Sequence, residues 1–177
     1  LGFTVAVSVV ILLAKKAPSP ADLGFKADLY VEREQGKVRL RPGDPIAVGD
    51  RLSFNVSLTK PAHVYVFDDD DAGNFYCVFP LPGDGWSLKN PVPAGSSIDL
   101  PGKRKVGPEV SEQFWRIDSR GGGEERFLIV ASLEPMPEIE KALGRAARPK
   151  VDGEATTSQR LNDEDRSAVA FSVLRGA

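Results

Sequence analysis

The chain has one cysteine, one histidine and one methionine among 177 residues, and these scarcities remove several chemistries at once. A lone Cys77 closes no intramolecular disulfide, and in the alternating apolar run FYCVF a free thiol acts as a small hydrophobe rather than a nucleophile. One His and one Cys leave any four-ligand zinc site dependent on carboxylates. A Ser-His-Asp arrangement would have to use His63 as its base, and no serine lies in a GxSxG elbow. A surplus of one charge is missing too: 23 Lys and Arg face 25 Asp and Glu, for a formal net charge of -2. Nucleic acid is therefore not an expected partner. The glycine-rich DSRGGGEER lacks the Lys-Ser/Thr ending of a phosphate loop and reads as a hairpin turn. Glu124 and Glu125 are adjacent, so in a strand they point to opposite faces and cannot flank one glycosidic bond.

What the chain does have is period-two alternation. Leu52, Phe54, Val56 and Leu58 alternate with Arg51, Ser53, Asn55 and Ser57, the pattern of a strand with one buried and one polar face. Further strands are expected from Phe25 to Glu32, Lys37 to Leu40, His63 to Asp68, Asn74 to Phe79, Ser97 to Leu100, Glu112 to Asp118, Glu125 to Ser132 and Ala168 to Leu174. The segments at 52–58, 63–68 and 74–79 fit an antiparallel meander, and 112–118 pairs most naturally with 125–132 across SRGGGE. Residues 103–109 read as loop. Between Pro135 and Ala147 the period changes: Ile139, Ala142, Leu143 and Ala146 line one helical face. The expected fold is all-β, an antiparallel β-sandwich of about eight strands with one short helix.

An apolar segment precedes this unit. GFTVAVSVVILLA carries no charge and is followed by Lys15 and Lys16, so residues 1–16 are expected to be the end of a transmembrane helix or membrane anchor; a complete span needs about 20 residues. The competing reading is a β-branched strand, because Val5, Val7 and Val9 alternate with smaller residues. APSPAD then supplies a linker at 17–24, and the sandwich domain occupies 25–177.

Two sets of residues carry the candidate chemistry. Asp68, Asp70 and Asn74 place several oxygens in one tight turn, a weak candidate site for Ca²⁺; Ala72 stands where another oxygen would help, and no bidentate Glu follows at EF-hand spacing. No other cofactor is expected. Trp86, Trp115 and the basic stretch Lys103, Arg104 and Lys105 are candidate interaction residues. Phe114 and Trp115 are neighbours on an expected strand, so one of the two faces solvent or is covered by another element, such as the 135–147 helix.

The ordered motifs GDRL at 49–52, AHVYVFDDDDAG at 62–73, VFP at 78–80, PAG at 93–95, LPG at 100–102 and GEERFLIVAS at 123–132 resemble the bacterial family of domain of unknown function 4384 over residues 25–137. Relatives tend to show Gly-Tyr where this chain has Ala62-His63. The resemblance implies an accessory module, attached in relatives to kinases, caspase-like peptidases, anti-sigma-like zinc-finger proteins or membrane anchors, with no catalytic set to carry over. The expectation is therefore a non-enzymatic, membrane-tethered module that mediates protein-protein interaction in a bacterial envelope or signalling complex, at the extracytoplasmic or periplasmic face. A calcium- or ligand-binding sensor and a hydrolase with a loop-assembled acidic site are the alternatives.

Overall fold

In a computed structural model, residues 3–7, 23–70, 73–117, 124–146 and 158–176 are described, with backbone alone for 3–7 and 173–176. They form β1 (Phe3–Val7), β2 (Phe25–Arg33), β3 (Gly36–Arg39), β4 (Pro45–Ile46), β5 (Arg51–Leu58), β6 (His63–Asp70), β7 (Phe75–Phe79), β8 (Gly95–Leu100), β9 (Lys103–Val106), β10 (Glu109–Glu112), β11 (Trp115–Arg116), β12 (Glu124–Ser132), α1 (Pro137–Arg145), β13 (Gln159–Leu161) and α2 (Asp163–Gly176). A six-stranded sheet runs β13-β7-β6-β12-β1-β4. A five-stranded sheet runs β11-β5-β2-β3, with β8 also paired to β5, and β9 with β10 makes a separate two-stranded ribbon.

The alternation seen in the sequence explains how the layers pack. Leu52, Phe54, Val56 and Leu58 all turn inward and are buried, facing Val64, Val66, Phe127, Ile129 and Ala131 from the other sheet. Inside this core the Phe54 ring meets Trp115 and Phe127 edge-on, with centroids 5.6 and 5.4 Å away. The six-stranded sheet is apolar on both faces. Its second face, with Tyr65, Phe67, Cys77 and Val130, is covered by Ile139, Ala142 and Leu143 of α1 and by Val169 of α2. Sheet, sheet and helices thus form three layers, an all-β sandwich with helices added on one side.

Several sequence expectations give way here. The segments 52–58, 63–68 and 74–79 are not one meander: β5 belongs to one sheet and β6 and β7 to the other, because Lys60 and Pro61 break the strand and Ala62 then bridges to Val92. Nor does 112–118 pair with 125–132. Trp115 lies opposite Leu52 of β5, while β12 pairs with β6 along its whole length, from Glu125 opposite Asp70 to Ser132 opposite His63. Residues 103–106 are strand rather than loop, because Gly107 takes φ +60° and lets the chain return as β10.

The expected last strand at 168–174 is helical. Asn162 Oδ1 accepts the Asp165 backbone N–H at 2.8 Å, and Asp163, Glu164 and Asp165 place negative charge in the first turn, which together set a helix start that the apolar alternation concealed. At the N-terminus, Phe3–Val7 runs as a strand in parallel register with Glu124 to Phe127 of β12 and antiparallel to Pro45–Ile46, not as part of a helix. β-branched Val5 and Val7 suit a strand there, between β12 and β4. The rest of the expected anchor, residues 8–16, lies outside the described residues. No helix among the described residues is long and apolar enough to cross a membrane. Of the expected linker, Leu23 is buried and the Gly24 N–H donates to Thr59 Oγ1 at 2.8 Å, so the folded unit includes both.

Candidate functional site

Strand β6 carries both faces of the acidic turn. Asp68 and Asp70 follow Val64 and Val66 on the inward face, and register sets Glu125 opposite Asp70 and Phe127 opposite Asp68. The Asp70 carboxylate is occupied by its own turn: Oδ1 accepts the Asn74 backbone N–H at 2.7 Å and Oδ2 accepts Asn74 Nδ2 at 2.8 Å. Two of the three proposed calcium ligands are therefore bonded to each other. Asp68 shares a hydrogen bond with Glu125; burial, then the Glu125 charge, pushes its carboxyl well above the usual range. Among the described residues no group of three or more His, Cys, Asp and Glu is placed to hold a metal ion. Asp69 faces the helices, and both of its carboxylate oxygens accept from the one Arg166 Nη2, at 2.9 Å each. Asp71 and the SRGGG turn lie outside the described residues.

The reactive side chains of the helix-facing layer have structural roles. Cys77 is fully buried, its thiol 3.2 Å from the Phe79 carbonyl oxygen, and burial pushes its pKa upward, so the sulfur stays a neutral thiol. The Tyr65 hydroxyl donates to Glu140 Oε1 at 2.6 Å and accepts the Met136 backbone N–H at 3.2 Å, tying the start of α1 to the sheet. Burial and then the Glu140 bond raise its pKa. His63 opens β6 opposite Ser132, five residues from Asp68; at about 3.3 Å of rise per residue the acids lie far beyond hydrogen-bond reach.

Trp86 and Trp115 are plugs, not open contact residues. Trp115 is 5% exposed and donates Nε1–H to the Val78 carbonyl at 2.8 Å; Trp86 is 7% exposed and donates to the Pro82 carbonyl at 3.2 Å. The expected helix does not cover Trp115, since α1 packs on the other sheet's far face. Of the basic stretch, Arg104 lays its guanidinium 5.2 Å over the Trp86 ring, while Lys103 and Lys105 are exposed on β9.

The feature that sequence reading missed is a cleft of about 250 Å³ on the outer face of the five-stranded sheet, lined by Leu88 and Phe114 and by two lysines, Lys37 and Lys103, against two carboxylates, Asp99 and Glu112, among others. Lys37 reaches from β3 to Asp99 on β8, its Nζ 2.7 Å from Oδ2, and Asn55 donates to Asp99 Oδ1 at 2.8 Å. Burial opposes ionisation of Asp99, but these two bonds outweigh it and hold the carboxyl below its ordinary pKa. The Phe114 ring forms one wall, with the Arg51 guanidinium 4.9 Å and the Lys37 ammonium 6.0 Å from its centroid. The adjacency of Phe114 and Trp115 was the available signal: Trp115 turns inward, so its neighbour turns outward. Beside the cleft stands the β9–β10 ribbon, where Val106 is 63% and Val110 61% exposed.

Residues 46–135 match the model of a protein family described as domain of unknown function (DUF4384). No curated protein and no solved structure gives a significant match.

Proposed function

Starting from a chain that belongs to the DUF4384 family, we propose that this protein is a non-enzymatic accessory module that works by binding another protein within a larger assembly. The observation that carries the reading is the outer face of the five-stranded sheet, where an amphipathic cleft walled by Phe114 adjoins a ribbon with two exposed valines. Apolar side chains rimmed by charge are the composition of a recognition surface rather than of a solvated sheet face. The reactive groups add support, because Cys77 is enclosed and Tyr65 is held in a helix clamp. The proposal concerns the folded unit and does not depend on a membrane tether.

Crosslinking mass spectrometry on the full-length protein in its native setting tests it. One or a few reproducible neighbours, with crosslinks that include Lys37, Lys103 or Lys105, are expected. Turnover of a defined substrate by the purified chain, together with no specific neighbour, would overturn it in favour of a loop-assembled hydrolase.

A further inference from the structure

We infer that the cleft beside Phe114 is a binding site for one neutral, hydroxyl-rich ring, a hexopyranose unit, which hydrogen-bonds Ser53 at the floor and packs its C–H face against Leu88. The inference goes beyond the protein-binding reading and does not depend on it, since the neighbouring ribbon is open to a protein whether or not the cleft holds a sugar. Three observations lead to it.

The first is a hydroxyl without a partner. Ser53 is 3% exposed and lines the cleft, yet among the described residues nothing hydrogen-bonds its Oγ. Strand alternation explains the placement: Leu52 and Phe54 turn into the core, so Ser53 between them turns to the outer face, opposite Tyr30 of β2. A polar group so enclosed is expected to be hydrogen-bonded, so this one calls for a donor or acceptor that enters through the cleft.

The second is that the charges of the lining cancel. Lys37 Nζ is 2.7 Å from Asp99 Oδ2, Asn55 holds the other oxygen of that carboxylate, and Lys103 lies opposite Glu112 on the ribbon. No net charge is left for a ligand to neutralise, and a charged one would compete with a pair already made. Hydroxyls need break nothing: an ammonium has three protons and a carboxylate about four lone-pair sites, so both pairs keep unused donors and acceptors side by side. Gln113 adds an acceptor, because its Nε2 donates to Ser111 Oγ at 2.8 Å and leaves the amide oxygen. A hydroxyl both donates and accepts, so a ligand carrying several of them matches this mixture where a cation, an anion or a hydrocarbon does not.

The third is size and the division of the walls. At about 250 Å³ the cleft is smaller than drug-sized sites of roughly 300–1,000 Å³ and admits one ring rather than a chain of rings. Its polar groups come from β3, β5, β8 and the ribbon, whereas Leu88 and Phe114 give an apolar wall. A hexopyranose is divided in the same way, with hydroxyls around its edge and a face of C–H groups that packs on apolar and aromatic side chains. A peptide unit, with one donor and one acceptor, cannot meet Ser53 and both ion pairs together.

The test is an NMR titration of the full chain, observing backbone amides, with glucose, galactose, mannose and N-acetylglucosamine. At least one is expected to bind saturably with a Kd of about a millimolar, shifting the amides of Ser53, Gly102 and Gln113. Cyclohexanol, with the same ring size and one hydroxyl, should bind about tenfold or more weakly, because it leaves the polar groups of the site unpaired. Ser53→Ala should weaken the sugar severalfold while leaving the urea midpoint unchanged or higher, since the hydroxyl it removes has no partner in the fold. Gln113→Ala, at a partly exposed position, should weaken it too. No saturable shift with any of the four sugars, an unchanged Kd in Ser53→Ala, or equally tight binding of cyclohexanol, glutamate or N-acetylalanine methylamide would overturn the inference. The methyl glycoside of the bound sugar distinguishes its source: retained affinity assigns the end of a glycan, lost affinity a free sugar. The protein-binding reading fails separately, through the absence of any native neighbour in crosslinking, which hexose binding neither requires nor excludes.

Discussion

Asp68 is the side chain whose chemistry departs furthest from what its sequence neighbours suggest. In a run of four aspartates it reads as solvated charge, yet strand alternation turns it inward beside Glu125, which is 6% exposed, and the charges acting on it are Glu125, Asp70 and Asp69, all acidic. Its folded pKa is raised, so the folded chain binds a proton that the unfolded chain, with a carboxyl pKa of about 4, has already released. Stability from this group is present below the unfolded pKa and declines as pH rises from about 4 through the raised folded value. We expect the urea midpoint to fall over that interval, opposite to the usual carboxylate trend. Asp68→Asn, a neutral isostere, should flatten the slope and raise the midpoint at pH 8. A midpoint that climbs with pH in the wild type and is unaffected by the substitution would show that Asp68 is ionised and solvated. At the same scale, Tyr65→Phe removes the acceptor of the Met136 N–H and the donor to Glu140, at a cost of about 1–3 kcal/mol. Chemical denaturation measures it, and a change near zero would mean that water replaces both bonds.

Among the elements, the β9–β10 ribbon depends on one glycine. Gly85 has φ +88°, and a Cβ there would lie 2.5 Å from the Lys105 carbonyl oxygen, because the Lys105 N–H donates to the Gly85 carbonyl at 2.9 Å. Neither the backbone angle nor the approach admits a side chain. Gly85→Ala is expected to cost about 1–3 kcal/mol through strain at that backbone and to loosen the ribbon from Trp86, seen as a red shift of tryptophan emission; an unshifted spectrum and midpoint would refute the contact. Helix α2 is an element of a different kind. Over Asp163 to Ser172 only Asp165 and Val169 are buried, so the helix is docked by Arg145 on Asp165 and Arg166 on Asp69 rather than by an apolar stripe. That is why periodicity located α1, with Ile139, Ala142 and Leu143 inward, and read Ala168 to Leu174 as a strand.

For the whole molecule the decisive quantity is the apolar contact between the two sheets. Val56 is fully buried between them, so Val56→Asp places an unpaired charge in the core and is expected to cost more than about 4 kcal/mol. Loss of the cooperative thermal transition is the readout, and a retained transition would mean that the strand can turn its faces over. Much of this architecture could be read from residues alone. Alternation from Arg51 to Leu58 named the buried side correctly, a helix within 135–147 was visible from its period and is found at Pro137–Arg145, and ordered motifs pointed to the family. The candidate site was far less legible: Lys37, Ser53, Asp99 and Phe114 come from four separated segments, and nothing in their local spacing links them.

The division follows from the range of the forces involved. Local sequence determined which residues form strands, which face of each is apolar, where Gly and Pro turn the chain, and that Phe114 and Trp115 must part company; each of these is set by backbone sterics and side-chain pattern within a few residues. Tertiary structure decided which strand lies beside which. It sent β5 and β6 to different sheets, paired β11 with β5 instead of β12, enclosed Asp68 against Glu125, and brought the cleft together from Lys37 to Phe114. Those outcomes depend on burying two sheet faces and a helical layer at once, a condition on the whole chain that no local window contains.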